Sequence, residues 1–136
     1  MKLVIDSNRI ISALIKEGLS RKIIVSKNFD FLTLDYIIEE VRKYKEDICK
    51  KAKFSDSEME LLFDLFMENV EIMPDEKILS KMDEAKEIMK DIDIYDSPII
   101  ACALTVSNEG IWTEDRHLKK QSKIKIWKTE DLMDYV

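Results

Sequence analysis

The sequence predicts an α/β fold: a mostly parallel sheet of about five strands, flanked by helices. Two observations carry this reading. Short apolar runs of strand length alternate with longer stretches whose apolar residues recur at helical spacing, and that alternation favours parallel strands joined by crossover helices. With 136 residues, 46% of them hydrophobic, and only 2 Gly and 2 Pro, the chain has material for a sizeable core and almost none for linkers. One domain over residues 1–136 is therefore expected.

Lys2 to Ile5 reads as the first strand and Ser7 to Ile15 as a helix. Phe29 to Leu34 is the second strand, and a helix is predicted from about Tyr36 to Lys51, with Ile37, Val41, Tyr44 and Ile48 as its buried stripe. Ser55 followed by Glu58 makes a capping box for a helix reaching about Glu68. Val70 to Ile72 is a short strand stopped by Pro74. Ile78, Met82, Ala85 and Met89 mark one face of the next helix, and another begins near Ser97. Gly110 to Trp112 and Lys123 to Trp127 are the last strands, and Thr129 to Tyr135 closes the chain as a short helix.

Composition narrows the class. A net charge of -6 argues against a broad surface that coats nucleic acid, which needs excess Lys and Arg. It leaves room for an acidic site whose charge is offset by bound cations. Cys49 and Cys102 form neither a metal-ligand spacing nor a disulfide framework, which points to a reducing, cytoplasmic setting. Asp6 comes too early for a signal peptide. The longest apolar stretch, Pro98 to Val106, falls well short of the ~20 residues that span a membrane, so no membrane association is expected.

The carboxylates are the informative residues. Asp6 ends the first strand in Ile5-Asp6-Ser7-Asn8, where its ordinary role is to cap the following helix. At about 100° per residue, Glu39 points away from the buried stripe of its helix while Glu40 lies at the border, within reach of a cleft beside the core. Asp91-Ile92-Asp93-Ile94-Tyr95-Asp96 has the acids of a calcium loop, but no turn glycine, Tyr95 at a ligand position and Cys102 where a bidentate Glu is required. Asp96 or Ser97 instead opens the next helix, with Pro98 in its first turn. Asp115, in Thr113-Glu114-Asp115, either caps a short helix or presents a carboxylate at the sheet's edge.

Each position alone has a capping or solvated reading. Jointly, Asp6 and Asp115 follow strands, and Glu40 and Asp96 stand near helix starts on the same expected edge. In parallel sheets that edge is where chemistry concentrates. Carboxylates gathered there repel one another unless cations intervene, and hard oxygen ligands at that density suit Mg²⁺ or Mn²⁺.

In this order, the motifs resemble those of the PIN domain family over nearly the whole chain. The matching pieces are Asp6-Ser7-Asn8 after a strand, the helical Glu40 in Ile37-Ile38-Glu39-Glu40-Val41, Asp96 opening Ser97-Pro98-Ile99-Ile100-Ala101-Cys102-Ala103-Leu104, and Thr113-x-Asp115 after a strand. The resemblance implies a three-layer α/β/α sandwich and Mg²⁺- or Mn²⁺-dependent cleavage of RNA. It makes Asp6, Glu40, Asp96 and Asp115 the metal-holding, catalytic residues, with Asn8 and Thr113 orienting ligands or water around them and Asp93 as an auxiliary acid. Many small prokaryotic members resemble VapC-type toxins paired with an antitoxin, so RNA and an antitoxin protein are the partners the resemblance implies; a homodimer is a separate candidate. Tyr95 departs from the pattern, standing where many relatives have a further acid, which leaves the choice between one and two metals open.

His117, the only histidine, reads as exposed, and without a Ser or Cys partner it builds no triad. Lys119, Lys120, Lys123 and Lys125 form a basic patch that either guides a phosphate backbone or is simply solvated, and Arg9 and Arg116 are candidate contacts for the scissile phosphate. The apolar residues of Met59 to Met67 suit core packing or a dimer surface. The alternative function is a catalytically silent PIN-like module that binds RNA or protein. A dehalogenase-like phosphatase is disfavoured because Asn8 stands where its second Asp is needed, and a receiver domain because Val70 to Pro74 supplies no phosphoacceptor Asp.

Overall fold

The computed structural model describes Met1–Val136. Five strands form one sheet: β1 (Lys2–Ile5), β2 (Asp30–Leu34), β3 (Val70–Met73), β4 (Ile111–Trp112) and β5 (Ile126–Trp127). Their order is β3-β2-β1-β4-β5, and every pairing is parallel. Val4 registers with Leu32 on one side and Ile111 on the other, so β1 is the central strand. The strand order also reverses there, because the chain passes from β1 to β2 and β3 and then returns to place β4 on the opposite side. A crevice opens beyond the carboxyl ends of the strands at such a reversal.

Side chains alternate across the strands and build a core on each face. Leu3, Ile5, Phe31 and Trp112 face one cluster; Val4, Leu32, Leu34 and Ile111 face the other. The first is covered by α1 (Ser7–Ile15), α2 (Leu19–Val25), α3 (Tyr36–Lys43), α4 (Lys45–Ala52), α5 (Asp56–Met67) and α9 (Thr129–Leu132). The second is covered by α6 (Asp75–Ile78), α7 (Met82–Met89) and α8 (Ser97–Thr105). The result is the expected three-layer α/β/α sandwich. Each fully buried Leu, Ile or Phe contributes about 1.5–3 kcal/mol of burial energy. α8 is buried from Ile99 through Ala103, which anchors the start of that helix against the sheet.

Several elements depart from the sequence reading. The helix predicted from Tyr36 to Lys51 is two helices that meet at Tyr44, with φ -99° and ψ 8°. Its N–H still donates to Glu40 O and its carbonyl still accepts from Ile48 N–H, so the bend interrupts geometry without breaking the hydrogen-bond run. Tyr44, assigned above to the buried stripe, is exposed as a consequence. No Pro or Gly marks the bend, so the residue pattern continues through it. α2 was not anticipated; Arg21 ties it to α1 by donating to Ala13 O and Leu14 O, carbonyls of the final turn of α1 that the helix itself leaves free. The stripe from Ile78 to Met89 runs over α6, a 3-10 turn at Leu79–Lys81 and α7 rather than one helix. The Ser55 and Glu58 capping box forms as read, with reciprocal bonds of 3.2 and 3.1 Å. No helix is long and apolar enough to cross a membrane.

Candidate active site

Asp6 sits where β1 gives way to α1, and its two oxygens do different work. Oδ1 accepts the Asn8 backbone N–H at 3.3 Å, which is the helix-capping role. Oδ2 accepts the Thr113 hydroxyl at 2.7 Å. The sheet holds the two residues side by side: Asp6 N–H donates to Trp112 O, and Thr113 N–H donates to Trp127 O. Thr113 is fully buried and Asp6 nearly so. The same Thr113 oxygen accepts the Asp115 N–H at 3.0 Å, and Asp115 Oδ1 accepts the His117 N–H at 2.8 Å. Asn8 contacts Asp6 through its backbone; its side chain is exposed at the cavity described below.

Asp96 precedes α8 yet makes no capping hydrogen bond. Pro98 occupies the first turn as expected, and the buried Ser97 hydroxyl donates to Ile94 O at 2.6 Å. The local turn is capped instead by Asp93, which accepts the Tyr95 N–H at 3.1 Å. Asp96 Oδ2 is buried with no hydrogen-bond partner at all. Burial, followed by the charges of Asp115, Asp93 and Asp6, pushes the Asp96 carboxyl up to about 6, against an opposing effect of His117. Glu40 is half-buried on α3, while Glu39 is exposed. Tyr36, one turn earlier, has its phenol pushed up by burial and then by the charges of Asp6 and Glu40.

Asp6, Glu40, Asp96 and Asp115 all line a single cavity of about 350 Å³. Four acids distant in sequence thus share one space at the reversal point of the sheet. The three groups whose ligand atoms lie within 4.8 Å of one another are a different set: Asp93, Asp96 and His117. His117 Nδ1 lies 3.3 Å from Asp93, 3.8 Å from Asp115 and 3.9 Å from Asp96. The imidazole therefore stands among three acids, a position the sequence reading missed. The signal was the Asp115-x-His117 spacing, which hooks the His backbone onto the Asp carboxylate. Tyr95 is 89% exposed at the cavity edge. Two of the six basic residues named from sequence are engaged elsewhere: Lys119 pairs with Glu114 and Lys125 lies over the Trp127 ring. Arg9 lines another cavity.

The chain matches the sequence model of the PIN domain over residues 4–136. The chain belongs to the PIN domain family. A comparison with curated proteins gives no match. The surroundings of Asp96 in this PIN domain fit a divalent cation on structural grounds, with Asp93 and His117 close enough to share it. A buried carboxylate oxygen without a partner calls for a missing donor or ion, hard cations take oxygen ligands, and the crowding that raises the Asp96 pKa is relieved by positive charge.

Proposed function

We propose that this PIN domain is an endoribonuclease that hydrolyses RNA phosphodiester bonds with Mg²⁺ or Mn²⁺ held by Asp6, Glu40, Asp96 and Asp115. The observation that carries the reading is the partnerless, buried Asp96 Oδ2 in a cavity shared with three other acids. When bound, the ion lowers the pKa of water and offsets the charge growing on the leaving oxygen.

The chain's own residues do the positioning. Thr113 fixes the Asp6 carboxylate through its hydroxyl and the Asp115 loop through its oxygen, so one buried side chain sets two of the four acids. Asn8 lines the cavity and gives its N–H to Asp6. Asp93 and His117 stand beside Asp96 as auxiliary groups. A cytoplasmic setting is part of the proposal, supported by two buried, free cysteines. The reading as a VapC-like toxin with an antitoxin partner rests on the four motifs alone, and expression of the wild type but not of D96N should arrest growth if it is right.

The test of the chemistry is cleavage of single-stranded RNA, with Mn²⁺ binding measured in parallel, for wild type and D96N. Metal-dependent cleavage and binding by the wild type, both lost in D96N, are expected. Absent cleavage with intact RNA binding would make the protein a silent binding module instead.

A further inference from the structure

A second cavity, about 510 Å³ in volume, runs along α1 and into the start of α2, lined by Arg9, Ser12, Lys16, Ser20 and Glu114 among others. Asn8 lines the acid cavity and Arg9, the next residue, lines this one, so consecutive residues of α1 border the two spaces. Arg9 Nε is buried and has no hydrogen-bond partner, and its guanidinium makes no ion pair. The guanidinium is only half-buried, but its Nε–H is shut off from water without an acceptor, and such a donor is costly unless a ligand completes it.

The surroundings identify the missing acceptor as an anion. Lys16 is exposed at the same cavity and unpaired, and Ser12 and Ser20 add hydroxyls. Glu114 is the one acid among the lining residues, and its oxygens are already committed: Oε1 accepts the Thr129 N–H at 2.9 Å and Oε2 faces Lys119 Nζ at 3.4 Å. Burial pushes the Glu114 carboxyl up, but those hydrogen bonds outweigh it and keep the group ionised and occupied. The planar guanidinium fork matches phosphate oxygens better than any other common anion except carboxylate. A phosphate has the further advantage that the neighbouring cavity is read as the place where a phosphodiester is cut.

We infer that the Arg9 cavity is a phosphate subsite, holding a backbone phosphate of the RNA strand next to the one at the acids, with Arg9 as the principal ligand and Lys16, Ser12 and Ser20 in support. This rests on the ribonuclease reading above. It also explains how a chain of net charge -6 retains a polyanion beside an acidic cleft: attraction is local rather than spread over the surface.

The experiment is fluorescence anisotropy of a short labelled single-stranded RNA, with Mg²⁺ present, in a D115N background that leaves the strand uncut. R9Q and K16Q are added singly, and each is checked for folding by its thermal melt. Arg9 makes no native bond that its replacement would break, and exposed Lys16 provides an independent variant if R9Q does not fold. Expected are a roughly ten-fold loss of affinity in R9Q, a smaller loss in K16Q, and a salt slope shallower by about 0.7 in R9Q, the value for one lost contact to a single strand. The losses should be uniform across RNA sequences, because a phosphate contact reads no base. Unchanged affinity and slope in a folded R9Q, or in K16Q should R9Q not fold, would overturn the subsite, as would absence of RNA binding both in the D115N parent and in the wild type kept uncut with EDTA. A second arm titrates inorganic phosphate by thermal shift: stabilisation that depends on Arg9 while RNA affinity does not would assign the cavity to a free anion and overturn the RNA subsite. The two readings fail separately. RNA bound through Arg9 but not cut by the wild type defeats the nuclease alone, and RNA cut equally by wild type and R9Q with equal KM defeats the subsite alone.

Discussion

The hydroxyl of Thr113 donates to Asp6 Oδ2 at 2.7 Å across 107 residues of sequence, in a position where Thr113 is fully buried. The bond joins the end of β1 to the end of β4, and the same oxygen accepts from Asp115 N–H. Thr113 is the hinge pin between two of the four acids.

Replacing Thr113 with Val keeps the shape and removes the hydroxyl. Asp6 then loses a buried donor and Asp115 N–H an acceptor, so T113V should cost about 1–3 kcal/mol in urea unfolding. T113S should restore most of that loss. If T113V unfolds like the wild type, the bond does not hold the site together.

The Asp96 carboxyl gives a pH signature in the metal-free protein. Its pKa is about 6 in the folded chain against an ordinary 3.8. Between those values the folded state holds more protons than the unfolded state, so stability falls as pH rises through the window and levels above it. The drop should be on the order of 1 kcal/mol once partial solvent exposure is allowed for. D96N should lack this component, and its apo form should melt higher than the wild type at neutral pH. Parallel pH profiles of the two proteins would refute the assignment.

Adding Mn²⁺ should reverse the repulsion. At a concentration about a hundred times Kd, a ligand that binds only the folded state stabilises it by about 2.7 kcal/mol. Wild-type thermal melts should move up accordingly, while D96N and E40Q should respond far less at the same concentration. Equal shifts in all three would place the ion elsewhere.

Gly110 carries the turn into β4 with φ +130°, a conformation that only glycine adopts without strain. A Cβ there would lie 2.4 Å from Lys125 O and 3.0 Å from the Trp127 ring. G110A should therefore destabilise the protein by about 2 kcal/mol or more and should weaken the β4–β5 edge on which Thr113 rests. Denaturant midpoints measure the loss, and a near-neutral result would mean that the edge strand relaxes freely.

Much of the architecture was legible in the residues because it depends on local pattern. The Ser55 capping box, the alternation in Lys2–Ile5 and the Pro98 first turn are short-range features whose energetics are complete within a few residues. The bend at Tyr44 and the helix at Leu19–Val25 were not legible. No breaker residue marks the first, and the second is secured by Arg21 reaching carbonyls of another helix. At the site, the sequence picked out Asp6, Glu40, Asp96 and Asp115 from strand ends and helix starts, and all four line one cavity. It read His117 as exposed, which it is, and named Asp93 as an auxiliary acid, but it did not foresee their meeting across 24 residues at 3.3 Å, which is made by the folding of two loops.

By itself, then, the sequence determined which carboxylates are available, which elements they terminate, and that those elements form a parallel sheet between helices. Only the tertiary structure decided which oxygens are already satisfied. Asp6 spends both on Asn8 and Thr113, whereas Asp96 keeps one buried without a hydrogen bond, with the His117 imidazole 3.9 Å away. Hydrogen bonding and desolvation depend on atoms brought within a few ångströms from distant parts of the chain, and no local pattern of residue types encodes those distances.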